Sequence, residues 1–197
     1  MTKIIIATSN EGKLKEFRSL LAHKDVDIIS MKEAGINIDI DENGTTFEEN
    51  AAIKAKTVCE YSKCLCLSDD SGLVIDCLGG EPGIYSARYL GHDTPYTEKN
   101  RIITDRLKDV PDKERTARYV CAVAAAFPDG RVITVEDTLE GVIAREPVGE
   151  GGFGYDPIFY YPPLGVTTAQ LTAEEKNAIS HRGKALRRMV DLLEKEL

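Results

Sequence analysis

The sequence predicts an α/β fold in one domain. Three observations carry that expectation. Short β-branched or apolar runs recur along the chain, beginning with "KIIIAT" at Lys3 to Thr8. Between them lie segments whose apolar residues repeat at helical spacing. Glycine- and proline-containing turns separate these runs, with no repeat, charge block or linker anywhere in residues 1–197.

In chain order, "KIIIAT" reads as a buried strand that breaks at "SNEG". Leu14, Phe17 and Leu21 then mark a helix, and "VDIIS" from Val26 a second strand. "INIDID", Ile36 to Asp41, alternates strictly and reads as a third strand with Asp41 on its polar face. "TTFEENAAIKAKTVCEYSK" predicts a helix, because Thr45 and Thr46 each have a Glu three residues on and either can open a capping box. "CLCLSDD" and "GLVID" predict two short strands, with Asp69 and Asp70 where the first ends.

"GGEPGIYSARYLG" reads as loop and "YTEKNRIITDRLKDV" as an amphipathic helix burying Ile102, Ile103 and Leu107. "ARYVCAVAAAF", "RVITVEDTL" and "EGVIARE" read as three consecutive strands, the first two joined by "PDG". "PVGEGGFGYDPIFYYPP" reads as loop. Ser180 reads as the N-cap of a last helix with Leu186, Met189, Val190 and Leu193 in one stripe.

Composition removes several classes of function. The longest apolar runs, such as Val120 to Phe127, are far shorter than the roughly 20 residues that cross a bilayer. The N-terminus does not read as a signal peptide, so the expected location is the cytoplasm. Five cysteines without CxxC spacing read as small hydrophobes. Three separated histidines (His23, His92, His181) do not suggest a zinc site. A net charge of −8 opposes a duplex DNA surface but allows a small anionic substrate held by a few converging cations and a metal.

Four segments can carry chemistry. "TSNEGK", Thr8 to Lys13, delivers a strand into a helix start, where backbone N–H groups form an anion site beside Lys13. "GEGGFG" from Gly149 matches a dinucleotide fingerprint but runs into prolines instead of a helix. Phe153, Tyr155 and Asp156 there suit a planar ring better, offering an aromatic face and an acid. "SHRGK" puts Arg182 at a helix start, one turn after Lys176, and its fork can address a keto oxygen and a ring nitrogen. In "SDDSG", neighbouring side chains of a strand point to opposite sides, so one carboxylate is expected to serve chemistry and the other to tie down the turn. Further acids at Asp41 and Glu49 make oxygen-only metal ligation possible, which suits Mg²⁺.

"TSNEGK", "TFEENAAIKA", "SDDSGL", "GGEPGIYSARY", "GGFGYDPIF" and "KNAISHRGKAL" occur in the order seen in the inosine/xanthosine triphosphate pyrophosphatases, and the chain resembles that family from Thr8 to its last helix. The resemblance implies an ITPase-like fold, a long mixed sheet flanked by helices in two lobes with a central cleft. It implies hydrolysis of ITP, dITP and XTP to monophosphate and pyrophosphate by a Mg²⁺-dependent homodimer. Carried over onto this sequence, Thr8, Ser9, Asn10, Glu11, Gly12 and Lys13 would bind the triphosphate. Asp70 would be the catalytic base, with Asp69 beside it and Lys54 helping to neutralise charge, while Ser71 would contact substrate. Phe153, Gly154, Tyr155 and Asp156 would hold base and sugar, with Lys176, His181 and Arg182 completing the pocket. Asn50 lies four residues before Lys54, so the two can share a helix face. The metal would sit on Asp70 and Asp41, with Glu42 the adjacent alternative to Asp41.

Overall fold

A computed structural model describes residues 2–8, 10–21 and 26–195. Its seven strands lie in the order β2-β1-β3-β4-β5-β6-β7: β1 Thr2–Ile6, β2 Val26–Ser30, β3 Leu65–Ile75, β4 Thr116–Ala126, β5 Val132–Ile143, β6 Phe159–Tyr161 and β7 Val166–Thr167. The helices are α1 Glu11–Leu21, α2 Phe47–Ser62, α3 Tyr96–Arg106, α4 Ala173–Ile179 and α5 His181–Leu193. β1 pairs in parallel with β2 and β3, whereas β5, β6 and β7 pair antiparallel, so the sheet is mixed as expected. No described helix is long and apolar enough to cross a membrane.

The chain divides into two compact units, Met1–Ser71 with Cys121–Asp137 and His181–Leu197, and Gly72–Val120 with Thr138–Ser180. In the first unit, β1 lies between β2 and β3, so the chain leaves β1 at the point where strand order reverses. Open α/β sheets bind ligands at such points. Its core joins Ile4 and Ile6 of β1, Leu65 and Leu67 of β3, and Cys121, Val123 and Ala125 of β4 to Leu14, Phe17 and Leu21 of α1 and Leu186, Met189 and Leu193 of α5. β4 carries only small side chains from Cys121 to Ala126, all buried. On the other face of β3, the Ser68 hydroxyl donates to the Ala51 carbonyl of α2 at 2.5 Å. The second unit packs Leu73, Ile75, Ile103, Leu107, Tyr119, Leu139, Ile143, Tyr155 and Phe159 into its own core.

Several expectations are corrected. "LCLSDDSGLVI" is one continuous strand, so Asp69 and Asp70 sit in its middle and not at an end. "INIDID" forms no strand. Its burial alternates from Ile36 to Asp41, yet no described strand pairs with it. The second and third strands expected after Arg131 are a single strand, β5, because Glu140 and Gly141 continue the ladder. The loop after Pro147 contains the short strand β6. Ser180 ends α4 with its backbone N–H on the Lys176 carbonyl, and α5 begins directly at His181. The capping expectation for α2 resolves into a division of labour. Thr46 accepts from the Glu49 N–H, while the Glu49 carboxylate accepts from the backbone and hydroxyl of Thr45.

Candidate functional site

Two groups of side chains meet the chemical expectations, one in each unit. The first is built on β3. The pleat sends Leu65, Leu67 and Asp69 to one face and Cys66, Ser68 and Asp70 to the other. Asp69 therefore meets α1 and α5. Its Oδ2 lies 3.0 Å from Lys13 Nζ and 3.1 Å from Arg182 Nε, and the Ser71 hydroxyl donates to it at 3.3 Å. Arg182 also grips Glu16 of α1 and donates to Ser71 Oγ at 2.9 Å. Burial alone would raise the Asp69 carboxyl, but Lys13 and Arg182 outweigh it and hold the group well below the usual carboxylate range.

Asp70 meets α2. Lys54 Nζ is 3.6 Å from its Oδ1 and donates to Glu42 Oε2 at 2.8 Å, so one ammonium bridges two acids. The Asn50 side chain accepts the Gly44 N–H at 2.9 Å, tying the segment before α2 to that helix, while the Ser71 N–H donates to Asp70 Oδ1 at 3.1 Å. Burial dominates at Asp70 and pushes its carboxyl above the ordinary aspartate range despite Lys54 and Lys13, with Glu42 adding to the rise. Lys54 pays for burial too, but the charges of Asp70, Asp69 and Glu42 keep its ammonium above the ordinary range. Asp69 Oδ1 and Asp70 Oδ2 are both buried without a hydrogen-bond partner.

The turn before α1 has a simpler job in part. The Asn10 side chain accepts the Lys13 N–H at 3.1 Å, capping the helix, while Thr8 Oγ1 accepts the Asn10 N–H at 3.2 Å. Glu11 and Gly12 form the first turn, and Ser9 and His23 lie outside the described residues.

The second group centres on Asp156, which is 2% exposed. Its Oδ2 accepts from Lys176 Nζ at 2.7 Å and from the Phe153 N–H at 2.8 Å. Its Oδ1 accepts from the hydroxyls of Thr168 at 2.8 Å and Tyr119 at 3.3 Å. The Lys176 ammonium lies 4.4 Å from the centre of the Phe153 ring, which is 39% exposed. Gly152 has φ +70°, and a Cβ there would collide with Asp156 Oδ2. Only glycine lets the loop close on that carboxylate. Tyr155 OH donates to the Ser86 carbonyl at 2.7 Å.

The structure thus brings Lys13, Lys54, Asp69, Asp70, Asn50, Ser71 and Arg182 together within the first unit, with His181 buried at the head of α5. It brings Phe153, Gly154, Tyr155, Asp156 and Lys176 together within the second. Two expected site residues have partners that the motifs did not indicate. The acid that reaches Lys54 and the Asp70 side is Glu42; Asp41 is exposed and accepts from the Asn43 side chain at 3.4 Å. Over 36–41 no strand forms, but the alternation persists in burial, with Asn37, Asp39 and Asp41 on the exposed side. Arg182 is 2% exposed, and its three nitrogens donate to oxygens of its own unit, on Asp69, Glu16 and Ser71. Sequence reasoning missed Glu16, Tyr119 and Thr168. Only Glu16 left a signal, three residues after Lys13 on one helix face.

Residues 4–192 match the Ham1 family. A Bacillus subtilis protein named dITP/XTP pyrophosphatase is 47% identical over 194 residues, covering 98% of each chain. A protein of the same name from Escherichia coli K12 is 45% identical over 195 residues, again covering 98% of each. Among solved structures, a HAM1 protein from Coxiella burnetii superposes with a TM-score of 0.90 at 39% identity, covering 99% of this chain and 100% of that one. The Staphylococcus aureus Ham1 protein gives 0.89 at 38%, covering 100% of each chain.

Proposed function

The chain belongs to the Ham1 family, and on that premise we propose that it is a nucleoside-triphosphate pyrophosphatase that hydrolyses ITP, dITP and XTP to the monophosphate and pyrophosphate. The observation that carries the reading is Asp70: a buried carboxylate in mid-strand, pushed above its ordinary range, with one unpaired oxygen and a lysine 3.6 Å from the other. A carboxylate so placed is poised as a general base.

In this mechanism Asp70 orients a water and takes its proton as the water attacks the α-phosphorus in line. The ammonium groups of Lys54 and Lys13 neutralise charge on the departing pyrophosphate, and Asp69 holds Lys13 where it can do so. Arg182, anchored by Glu16, keeps Asp69 ionised and fixed. Base catalysis supplies about 10²–10⁴-fold, so preorganised cations must supply most of the rest.

Glu42 and Asp70 would hold a Mg²⁺ ion. Their hard oxygens and the unpaired Asp70 Oδ2 fit one. Among the described residues no three His, Cys, Asp or Glu side chains form a ready metal cluster, but Mg²⁺ commonly takes only one or two carboxylates beside substrate phosphates. When bound, such an ion offsets phosphate charge.

Phe153 to Asp156 and Lys176 would hold the purine. Arg182 or a backbone N–H would donate to a 6-keto oxygen. A 6-amino group would set donor against donor at a cost of about 1–3 kcal/mol. The reading extends to a cytoplasmic homodimer in which residues 1–197 of each chain form one pyrophosphatase domain, and the net charge of −8 speaks against a nucleic-acid partner.

One assay tests the reading: turnover of ITP, XTP, GTP, ATP and dTTP with Mg²⁺, reading pyrophosphate against orthophosphate. ITP and XTP should release pyrophosphate with an advantage over ATP of about 5- to 150-fold, the equivalent of that penalty. Orthophosphate release, binding without turnover, or preference for dTTP would each overturn it.

A further inference from the structure

The base-holding loop leans on a residue that neither its motif nor its chemistry points to. α3 presents Tyr96 and Asn100 one turn apart on one face. The Tyr96 ring meets Tyr155 edge-on, centroids 5.1 Å apart at 88°. Asn100 Nδ2 donates to the Gly154 carbonyl at 3.1 Å. Gly154 has φ +69°, so the peptide planes on either side of it, which carry Phe153 and Tyr155, are set by how its backbone is held.

Asn100 is 3% exposed, and its Oδ1 is buried without a partner. A buried amide oxygen left unpaired destabilises a fold, whereas an apolar side chain of similar size would pack there at no such cost. Stability alone therefore disfavours asparagine at this position. What asparagine offers in return is the single N–H that reaches Gly154.

We propose that Asn100 is a positioning residue for purine binding: it fixes the Gly154 carbonyl, and through it holds Phe153 and Tyr155 in the arrangement that receives the base. The inference rests on the functional reading above and deepens it, since it names what makes the loop selective for a planar heterocycle. Asn100 acts through the loop and touches neither the phosphates nor the reacting atoms.

Asn100→Leu removes the donor together with the unpaired oxygen, and half-buried Gly154 can take a water in exchange. Asn100→Asp keeps the size and sets a carboxylate against the carbonyl. For Asn100→Leu, KM for ITP should rise about tenfold while kcat stays within about twofold. Inhibition by inorganic pyrophosphate should not change, and the thermal midpoint should hold or rise. Asn100→Asp should raise KM further. An unchanged KM in a folded variant, an equal weakening of pyrophosphate inhibition, or failure of both variants to fold would overturn the proposal. Lack of ITP turnover by the unsubstituted protein would instead sink the functional reading itself, visible before any variant is made.

Discussion

Asp70 and Asp156 are both buried aspartates facing a lysine, one in each compact unit, and their conditions are opposite. Asp156 has both oxygens filled: an ammonium and a backbone N–H on one, two hydroxyls on the other. Asp70 has Lys54 at 3.6 Å, shared with Glu42, and one oxygen with no hydrogen-bond partner. A saturated buried carboxylate stabilises the fold around it, because its desolvation is offset by charge-assisted hydrogen bonds. An unsaturated one costs stability and retains capacity for a proton, a water or a cation. The same side chain is thus saturated with hydrogen bonds in one unit and left with an open oxygen in the other.

The sharpest way to break this contrast is Asp70→Asn. Turnover of ITP should fall by at least the roughly 10²–10⁴-fold that a positioned base contributes. The fold should not suffer. The asparagine is neutral, so it escapes the burial and the Glu42 repulsion that push the Asp70 carboxyl upward. Circular dichroism should therefore give an unchanged or higher thermal midpoint beside lost activity. Near-normal turnover would remove Asp70 from the mechanism, and a collapsed midpoint would make it an anchor after all.

Asp156→Asn should do the reverse. Its NH2 would face either Lys176 and the Phe153 N–H together or the Thr168 and Tyr119 hydroxyls, and in both orientations a lysine only 8% exposed would lose its counter-charge. Breaking one side of a buried pair costs about 3–5 kcal/mol. Chemical denaturation should show that loss, with KM for ITP rising because Phe153 and Lys176 lose their common support. A variant as stable as the parent would mean that Asp156 is not the anchor its hydrogen bonds describe.

How far the residues announced this contrast depends on the range over which each signal acts. Strands β1 and β2 and helices α1 and α2 were legible because periodicity and capping are local. The break placed inside β3 was wrong for a tertiary reason. "SDDSG" has turn composition, but Asp69, Asp70 and Ser71 each find partners on α1, α2 or α5, and those partners keep the strand extended. "INIDID" has strand alternation but pairs with no described strand, so the pattern alone did not make a strand. Asp69, Asp70, Lys13 and Lys54 were readable from motifs, and the argument that adjacent acids face opposite ways holds within the continuous strand. Glu42 over Asp41 and the capture of Arg182 by Glu16 were not readable, because each depends on which side chain arrives across the fold.

Glu33 separates saturation from burial, and it gives the smallest expected effect. Like Asp156 it is fully engaged: Oε2 accepts from the Ser30 N–H at 2.7 Å and its hydroxyl at 2.8 Å, and Oε1 accepts from Arg18 at 2.7 Å. Unlike Asp156 it is exposed. The Ser30 backbone bond first, then Arg18, lowers its pKa from 4.5 to about 2. A carboxyl depressed in the folded state lends stability above its unfolded pKa and loses it as pH falls through the folded one. The thermal midpoints of the parent and Glu33→Gln should therefore differ by a small, constant amount above about pH 5.5, and converge as pH drops from 4.5 towards 2. A gap that widened on acidification would reverse the sign of the linkage. A gap as large as that of Asp156→Asn would mean that hydrogen-bond saturation, and not burial, makes an anchor.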